Sequence, residues 1–197
     1  MPRPSRSYFL VSVAVMSALS IAFELMPAFR VFWGMKIDFV GTIWVLSFFL
    51  YGLTEATYVS LITTLFILIY SPTGLVGALM KFIATLPMVL VPAALSYLPL
   101  QPERSSKAYG SIKALLLSAV LANLARIIIT SLVNYYWAIP LWTGIPPELL
   151  LKVMFGGSLL NFLIFVASLN ILQGVIDIVV PWLLAYKFRL ASLFGTW

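Results

Sequence analysis

The stretch YFLVSVAVMSALSIAFELM, Tyr8 to Met26, decides the fold. It is an apolar run of 19 residues preceded by a short basic segment carrying Arg3 and Arg6. A secretory signal begins in the same way, but a signal ends in a small-x-small cleavage site, and here Glu24, Leu25, Met26 and Pro27 follow. The run therefore reads as a retained membrane helix. The rest of the chain has the same character: of 197 residues, 62% are hydrophobic and 9% charged, with a mean hydropathy of +1.08. A water-soluble globule of this composition is excluded. A hydrocarbon core of about 30 Å takes about 20 apolar residues per helix, so the chain holds five or six crossings and no second folded domain.

The remaining spans follow from hydropathy and turn residues. The expected helices are 8–26, 39–51, 54–70, 75–98, 112–137 and 160–186, within a single membrane domain covering 1–197. Gly52 and Glu55 mark a tight turn, and Ser71-Pro72-Thr73-Gly74 is a cluster that ends helices. Leu98 to Lys113 is the clearly hydrophilic connection. Pro140 to Pro147 is a Pro/Gly-rich break, and Leu149 to Phe155 is expected to lie as a short helix at the membrane surface. With six crossings both termini share one side. That side collects Arg3, Arg6, Arg104, Lys107, Lys113, Lys187 and Arg189, against Arg30, Lys36 and Lys152 opposite. Cytoplasmic loops carry the excess of Lys and Arg, so both termini are expected in the cytoplasm. The fold class is thus an all-α integral membrane protein with six transmembrane helices. Topology also accounts for the net charge of +6 better than a nucleic-acid partner does.

Composition narrows the chemistry. Cysteine and histidine are absent, which removes thiolate chemistry and the commonest acid-base and metal-ligand side chain. There is no phosphate-binding Gly-Lys-Ser/Thr loop, and no paired aspartates to hold magnesium for group transfer. No catalytic residue and no metal site is expected.

Three features remain. Ala14, Ala18 and Ala22 recur every four residues along one helical face, and small residues at that spacing let another helix approach closely. The stripe packs either within the bundle or against an external partner. Polar groups gather at one membrane depth on the outward side: Lys36 and Asp38 before the second helix, Lys81 in the fourth, Asn134 beside Tyr135, Tyr136 and Trp137, and Asn170 with Gln173 a turn later on the sixth. They form either a site facing a cavity or an interfacial belt of aromatic rings and snorkelling lysines. Arg126 and Asp177 lie deeper, at similar depth by the helical rise. They are positioned to pair across the fifth and sixth helices; a proton relay is the functional alternative.

These segments resemble the substrate-binding S component of an energy-coupling factor (ECF) vitamin transporter. The Ala14-Val-Met-Ser-Ala18 stretch with Ala22 is similar to the family's first-helix alanine motif. Lys36-Ile37-Asp38-Phe39 resembles the Lys-x-Asp-Phe of the riboflavin-specific branch, and Ser71 to Phe82 its segment entering the fourth helix, with Lys81 where asparagine is more usual. Asn134-Tyr135-Tyr136-Trp137-Ala138-Ile139-Pro140 resembles its Asn-x-aromatic-aromatic-Ala-Leu-Pro, and Asn170-Ile171-Leu172-Gln173 its Asn-x-x-Gln or Asn-x-x-Lys. The match runs in order over about three quarters of the chain, departing at Lys81 and in a short outer loop from Trp142 to Leu160.

The resemblance implies a riboflavin-binding transporter subunit of the plasma membrane, not an enzyme, with no resident cofactor. Its partners are a transmembrane coupling subunit and two cytoplasmic ATPases, which hydrolyse the ATP. The implied substrate-binding residues are Lys36, Asp38, Leu75, Met80, Lys81, Asn134, Tyr135, Trp137, Asn170 and Gln173, and the docking face is Ala14, Ala18 and Ala22. A flavin wants flat apolar walls and a few placed donors and acceptors. Tyr135, Trp137, Trp33, Leu75 and Met80 supply the walls, Asn134 and Asn170 the ring edge or ribityl contacts, and Lys36 and Asp38 further hydroxyl contacts. Asp38 is expected to repel phosphorylated flavins. The rivals are an S component for thiamine, biotin, folate or cobalamin, a small lipid-modifying membrane enzyme using Arg126 and Asp177, and a structural protein without a ligand.

Overall fold

The computed structural model describes residues 5–31, 35–96 and 106–195. They form an all-α bundle with one two-stranded hairpin. Helix α1 is Arg6–Leu25, followed by strands β1 (Phe29–Arg30) and β2 (Lys36–Ile37), then α2 (Val40–Tyr51), α3 (Leu53–Tyr70) and α4 (Gly74–Ser96). After a 3-10 turn at Ser106–Gly110 come α5 (Ile112–Thr143), α6 (Pro147–Met154), α7 (Leu159–Lys187) and α8 (Leu190–Phe194). Five of these helices, α1, α3, α4, α5 and α7, are long and apolar enough to cross a bilayer. Their outer faces carry exposed Leu, Ile and Val, among them Leu10, Leu65, Leu116 and Ile164. Such faces are stable against lipid, not water.

Helix α2 is different. Its 12 residues rise about 18 Å, less than a hydrocarbon core. Every residue from Val40 to Leu50 is buried, as expected of a helix hydrophobic all round. It is the axis of the bundle and packs against α1, α3, α4 and α7. Trp44, the largest of its side chains, donates its indole N–H to Ser20 Oγ on α1 at 3.0 Å. Gly52 joins α2 to α3 at φ 96°, a left-handed conformation that a side chain strongly disfavours.

The long helices run alternately between two ends. At one end Tyr8 donates to Phe194 O across the chain ends. There Tyr109, fully buried on the 3-10 turn, bonds Pro92 O through its hydroxyl and accepts from the Trp182 indole through its carbonyl at 2.7 Å. Burial pushes the Tyr109 phenol up to about 12, so it stays a neutral donor. Arg6, Lys107, Lys113, Lys187 and Arg189 lie at this end; Arg3 and Arg104 fall outside the described residues, as does the first half of the hydrophilic connection from Leu98 to Lys113. The other end holds the hairpin, in which Arg30 pairs with Lys36, the Ser71–Gly74 turn, and α6. A second apolar cluster of Val31, Ile139, Leu150, Phe155, Phe162 and Val166 fastens α6 there.

One helix end departs from the sequence reading. Pro140 is no break, because α5 continues to Thr143 through a π-turn at Asn134–Ala138. Pro140 enters the α-helical continuation near its first turn, where a missing N–H costs little. The helix stops instead at Gly144, left-handed at φ 72°.

Candidate ligand cavity

Helical periodicity decides which side chains meet inside the hairpin end. On α4, Gly77, Met80, Lys81 and Ala84 recur at three- and four-residue intervals and face inward. On α5, Arg126, Thr130 and Asn134 do so, and on α7, Val166, Asn170, Gln173 and Asp177. From these stripes the four α4 residues, Arg126 and Asn134 on α5 and Asn170 on α7 line a cavity, together with Glu24 at the end of α1, the hairpin residues Arg30, Met35 and Lys36, Ile67 on α3, Thr73 in the turn and Trp142 on α5. Its enclosed volume, counted as room for the centres of water-sized spheres, is about 60 Å³, and all the space between atoms out into the open solvent at its mouth is about 610 Å³.

Behind the lining is a chain of buried polar contacts. Lys81 Nζ bonds both oxygens of Asp38, at 2.8 and 2.7 Å. Asp38 Oδ1 also accepts from Val40 N, the first N–H of α2, at 2.9 Å in an Asx turn. Gln173 ties the Asp38 backbone from both sides, accepting from its N–H at 3.1 Å and donating to its carbonyl at 2.8 Å, and also donates to Asp177 Oδ1 at 2.8 Å. Arg126 completes the chain, one terminal nitrogen donating to Asp177 Oδ2 at 2.8 Å and Nε to Asn170 Oδ1 at 3.0 Å. Nearer the mouth, Lys36 Nζ pairs with Glu24 Oε2 at 3.1 Å and bonds Glu24 O at 2.6 Å, satisfying a carbonyl in the last turn of α1. Arg126 and Asp177 therefore pair across α5 and α7, at the depth the helical rise assigned to them.

Of the ten residues the resemblance implied, Lys36, Met80, Lys81, Asn134 and Asn170 line the cavity. Asp38 and Gln173 do not: they are buried behind Lys81, and the Asp38 side chain is 2% exposed. This corrects the expectation that Asp38 repels phosphate, because its charge is already neutralised by Lys81. Leu75 is also misplaced, 56% exposed, because it lies roughly 200° around α4 from Gly77 at about 100° per residue. Tyr135 turns its ring edge-on to Phe162, at 5.5 Å, within the second apolar cluster. Trp137 is absent from the lining because the wider π-turn rotates it off the Arg126–Asn134 stripe and brings fully buried Ala138 round instead. The aromatic wall is Trp142. Trp33 lies outside the described residues.

The hairpin and the longer α5 explain the lining residues that sequence reading missed. Glu24, Arg30, Met35, Ile67, Thr73 and Trp142 meet only after the chain folds back. For Gly77 and Ala84 the signal was present, since both share the helical face of Lys81.

Gly41 fixes how closely α2 approaches this network. A Cβ there would sit 2.6 Å from Asp177 Oδ1, and that carboxylate is held by both Arg126 and Gln173. We expect Gly41→Ala to cost about 1–3 kcal/mol, as overpacking does elsewhere, read as a lower melting temperature in detergent. An unchanged melting temperature would show that the carboxylate moves freely.

No family model matches the chain, and no curated protein matches it. A solved structure does, described as the S component of a bacterial ECF transporter. The TM-score is 0.70 at 20% identity, over 98% of this chain and all of that one. At that identity the likeness is one of fold, and it extends over nearly the whole of both chains.

Proposed function

We propose that the chain is the substrate-binding S component of an ECF-type transporter, capturing riboflavin outside the cell for ATP-driven uptake. The observation that carries this reading is the cavity at one end of a bundle whose fold matches an S component from end to end. The motifs at Lys36–Phe39, Ser71–Phe82, Asn134–Pro140 and Asn170–Gln173 favour riboflavin, and the structure gathers residues from all four around the cavity or directly behind it. In this reading α2 is the sixth crossing, both termini are cytoplasmic, and the cavity end faces outward from the plasma membrane. A transmembrane coupling subunit and two ATPases supply the energy, and the subunit itself performs no catalysis.

The docking face is Ala14, Ala18 and Ala22 on α1. All three are exposed, while Ser12, Val13, Met16, Ser17 and Ser20 make the buried face. The stripe is therefore open to a partner or lipid and is not spent on packing within the bundle.

The test is to purify the protein in mild detergent from cells grown with riboflavin, record its visible spectrum, and titrate the stripped protein by quenching of riboflavin fluorescence. A stoichiometric flavin supports the reading. A colourless protein that quenches nothing removes riboflavin and leaves thiamine, biotin, folate or cobalamin to be tried. Asn170→Ala removes a lining amide and the acceptor of Arg126 Nε; Asp38→Ala releases Lys81. Each is expected to weaken riboflavin binding at least tenfold, about 1.4 kcal/mol, and unchanged affinity would refute the assignment of that residue.

A further inference from the structure

We propose that Arg126 is the ligand anchor at the cavity floor, and that the ligand offers it an uncharged carbonyl acceptor, not an anion. The inference rests on the transporter reading for the cavity's role, and on geometry for the rest.

A guanidinium has five N–H donors in a rigid fork. Arg126 uses two, one on Asn170 Oδ1 and one on Asp177 Oδ2, which leaves three (5 − 2) without a hydrogen-bond partner among the described residues. The side chain lines the cavity yet is only 3% exposed. These donors open onto the cavity, where a ligand that displaces water must replace the hydrogen bonds the water makes. The two bonds already made lock the fork, so the ligand meets a fixed pair of donors. A carbonyl oxygen matches that geometry, because its two lone pairs can accept both donors.

Charge accounting sets the ligand's charge. Three cations of the cavity are each paired with a carboxylate: half-buried Lys36 with Glu24, half-buried Lys81 with Asp38, and buried Arg126 with Asp177. Arg30, the lining cation outside these pairs among the described residues, stands exposed on the hairpin. An anion held at the Arg126 floor would lose its hydration beside a cation already paired with Asp177, the unpaired Arg30 standing on the exposed hairpin, and a cation would meet no free carboxylate among the described lining residues. A neutral acceptor loses little, and gains the Arg126 donors.

The double variant Arg126→Gln/Asp177→Asn tests this, because it replaces the ion pair with a neutral pair of similar shape. In detergent, wild type is expected to bind riboflavin, and the variant, with wild-type elution and melting, to bind it at least tenfold more weakly. A ligand-side change makes the contact specific. One of 2-thioriboflavin and 4-thioriboflavin, whose sulfur is the weaker acceptor, should bind wild type less well than riboflavin, and that difference should vanish in the variant. Equal riboflavin affinity in both proteins, or a thio penalty that survives in the variant, overturns the Arg126 contact and leaves the flavin reading intact. If wild type ignores riboflavin, the flavin reading fails, and nicotinamide, biotin and thiamine are titrated by tryptophan fluorescence. Binding of uncharged nicotinamide that the variant loses upholds the Arg126 assignment. Binding of biotin or thiamine, nicotinamide binding that the variant keeps, or no binding at all overturns it.

Discussion

Asp177→Ala is expected to cost about 3–5 kcal/mol of stability, the usual consequence of removing one partner from a buried ion pair. Asp177 is fully buried and Arg126 is 2% exposed, so the substitution leaves a guanidinium with one hydrogen bond and no countercharge in the middle of the bundle. Gln173 loses an acceptor as well, and Gly41 loses the carboxylate it was shaped to accommodate. Arg126→Ala should cost a similar amount, because it strands the carboxylate instead. Removing both should cost less than the sum of the two, with a coupling of about 1–3 kcal/mol for groups in direct contact. Denaturant unfolding in detergent of the two single variants and the double variant measures this. Additive costs would mean that the pair does no structural work, and the polar chain from Lys81 to Asn170 would then have to be explained by ligand binding alone.

This pair also shows what a sequence of this kind discloses. Hydropathy locates helices because lipid demands a fixed apolar length, and the constant helical rise turns position in a helix into depth. Arg126 and Asp177 were therefore legible as partners although they are 51 residues apart. Asn134 and Asn170 were legible as lining for the same reason. Azimuth is harder to read. It follows periodicity only while the helix stays α, which puts Lys81 on the cavity face of α4 and Leu75 on its exposed face. Trp137 was misplaced by a π-turn that leaves no clear mark in composition. Trp142 was overlooked because Pro140 reads as a terminator unless the π-turn before it is known. The contacts through the hairpin, Lys36 with Glu24 above all, depend on a loop folding back onto a helix end, and neither hydropathy nor depth reports that. Asp38 shows a further kind of error. A carboxylate near a cavity was read as free charge, whereas in low dielectric it is stable chiefly with the partner that Lys81 provides.

The same distinction between inner and outer azimuth underlies the largest effect expected on transport. On the proposed reading as a riboflavin-binding S component, Ala18→Arg should abolish riboflavin uptake while leaving riboflavin affinity within about twofold of wild type. Ala14, Ala18 and Ala22 lie along about 12 Å of the exposed side of α1. The core of the bundle meets α1 on the other side, through Val13, Met16 and the Ser20–Trp44 bond. An arginine at position 18 therefore displaces nothing inside the protein, and its long stem lets the charge snorkel toward an interface. A helix that docks closely on the alanines loses that approach, because small residues are what permit backbones to come together in lipid. The cavity, formed mainly at the far end of the bundle by α4, α5, α7 and the hairpin, does not depend on position 18. Uptake of labelled riboflavin is measured in cells that express the energising module and lack another route, alongside titration of the purified variant. Uptake that survives Ala18→Arg refutes docking through this face. Loss of binding together with uptake refutes it equally, since the stripe would then be serving the fold and not a partner. Loss of uptake with binding intact separates the two faces of one helix: serines and a methionine hold the bundle together, and alanines on the opposite side receive the partner that moves it.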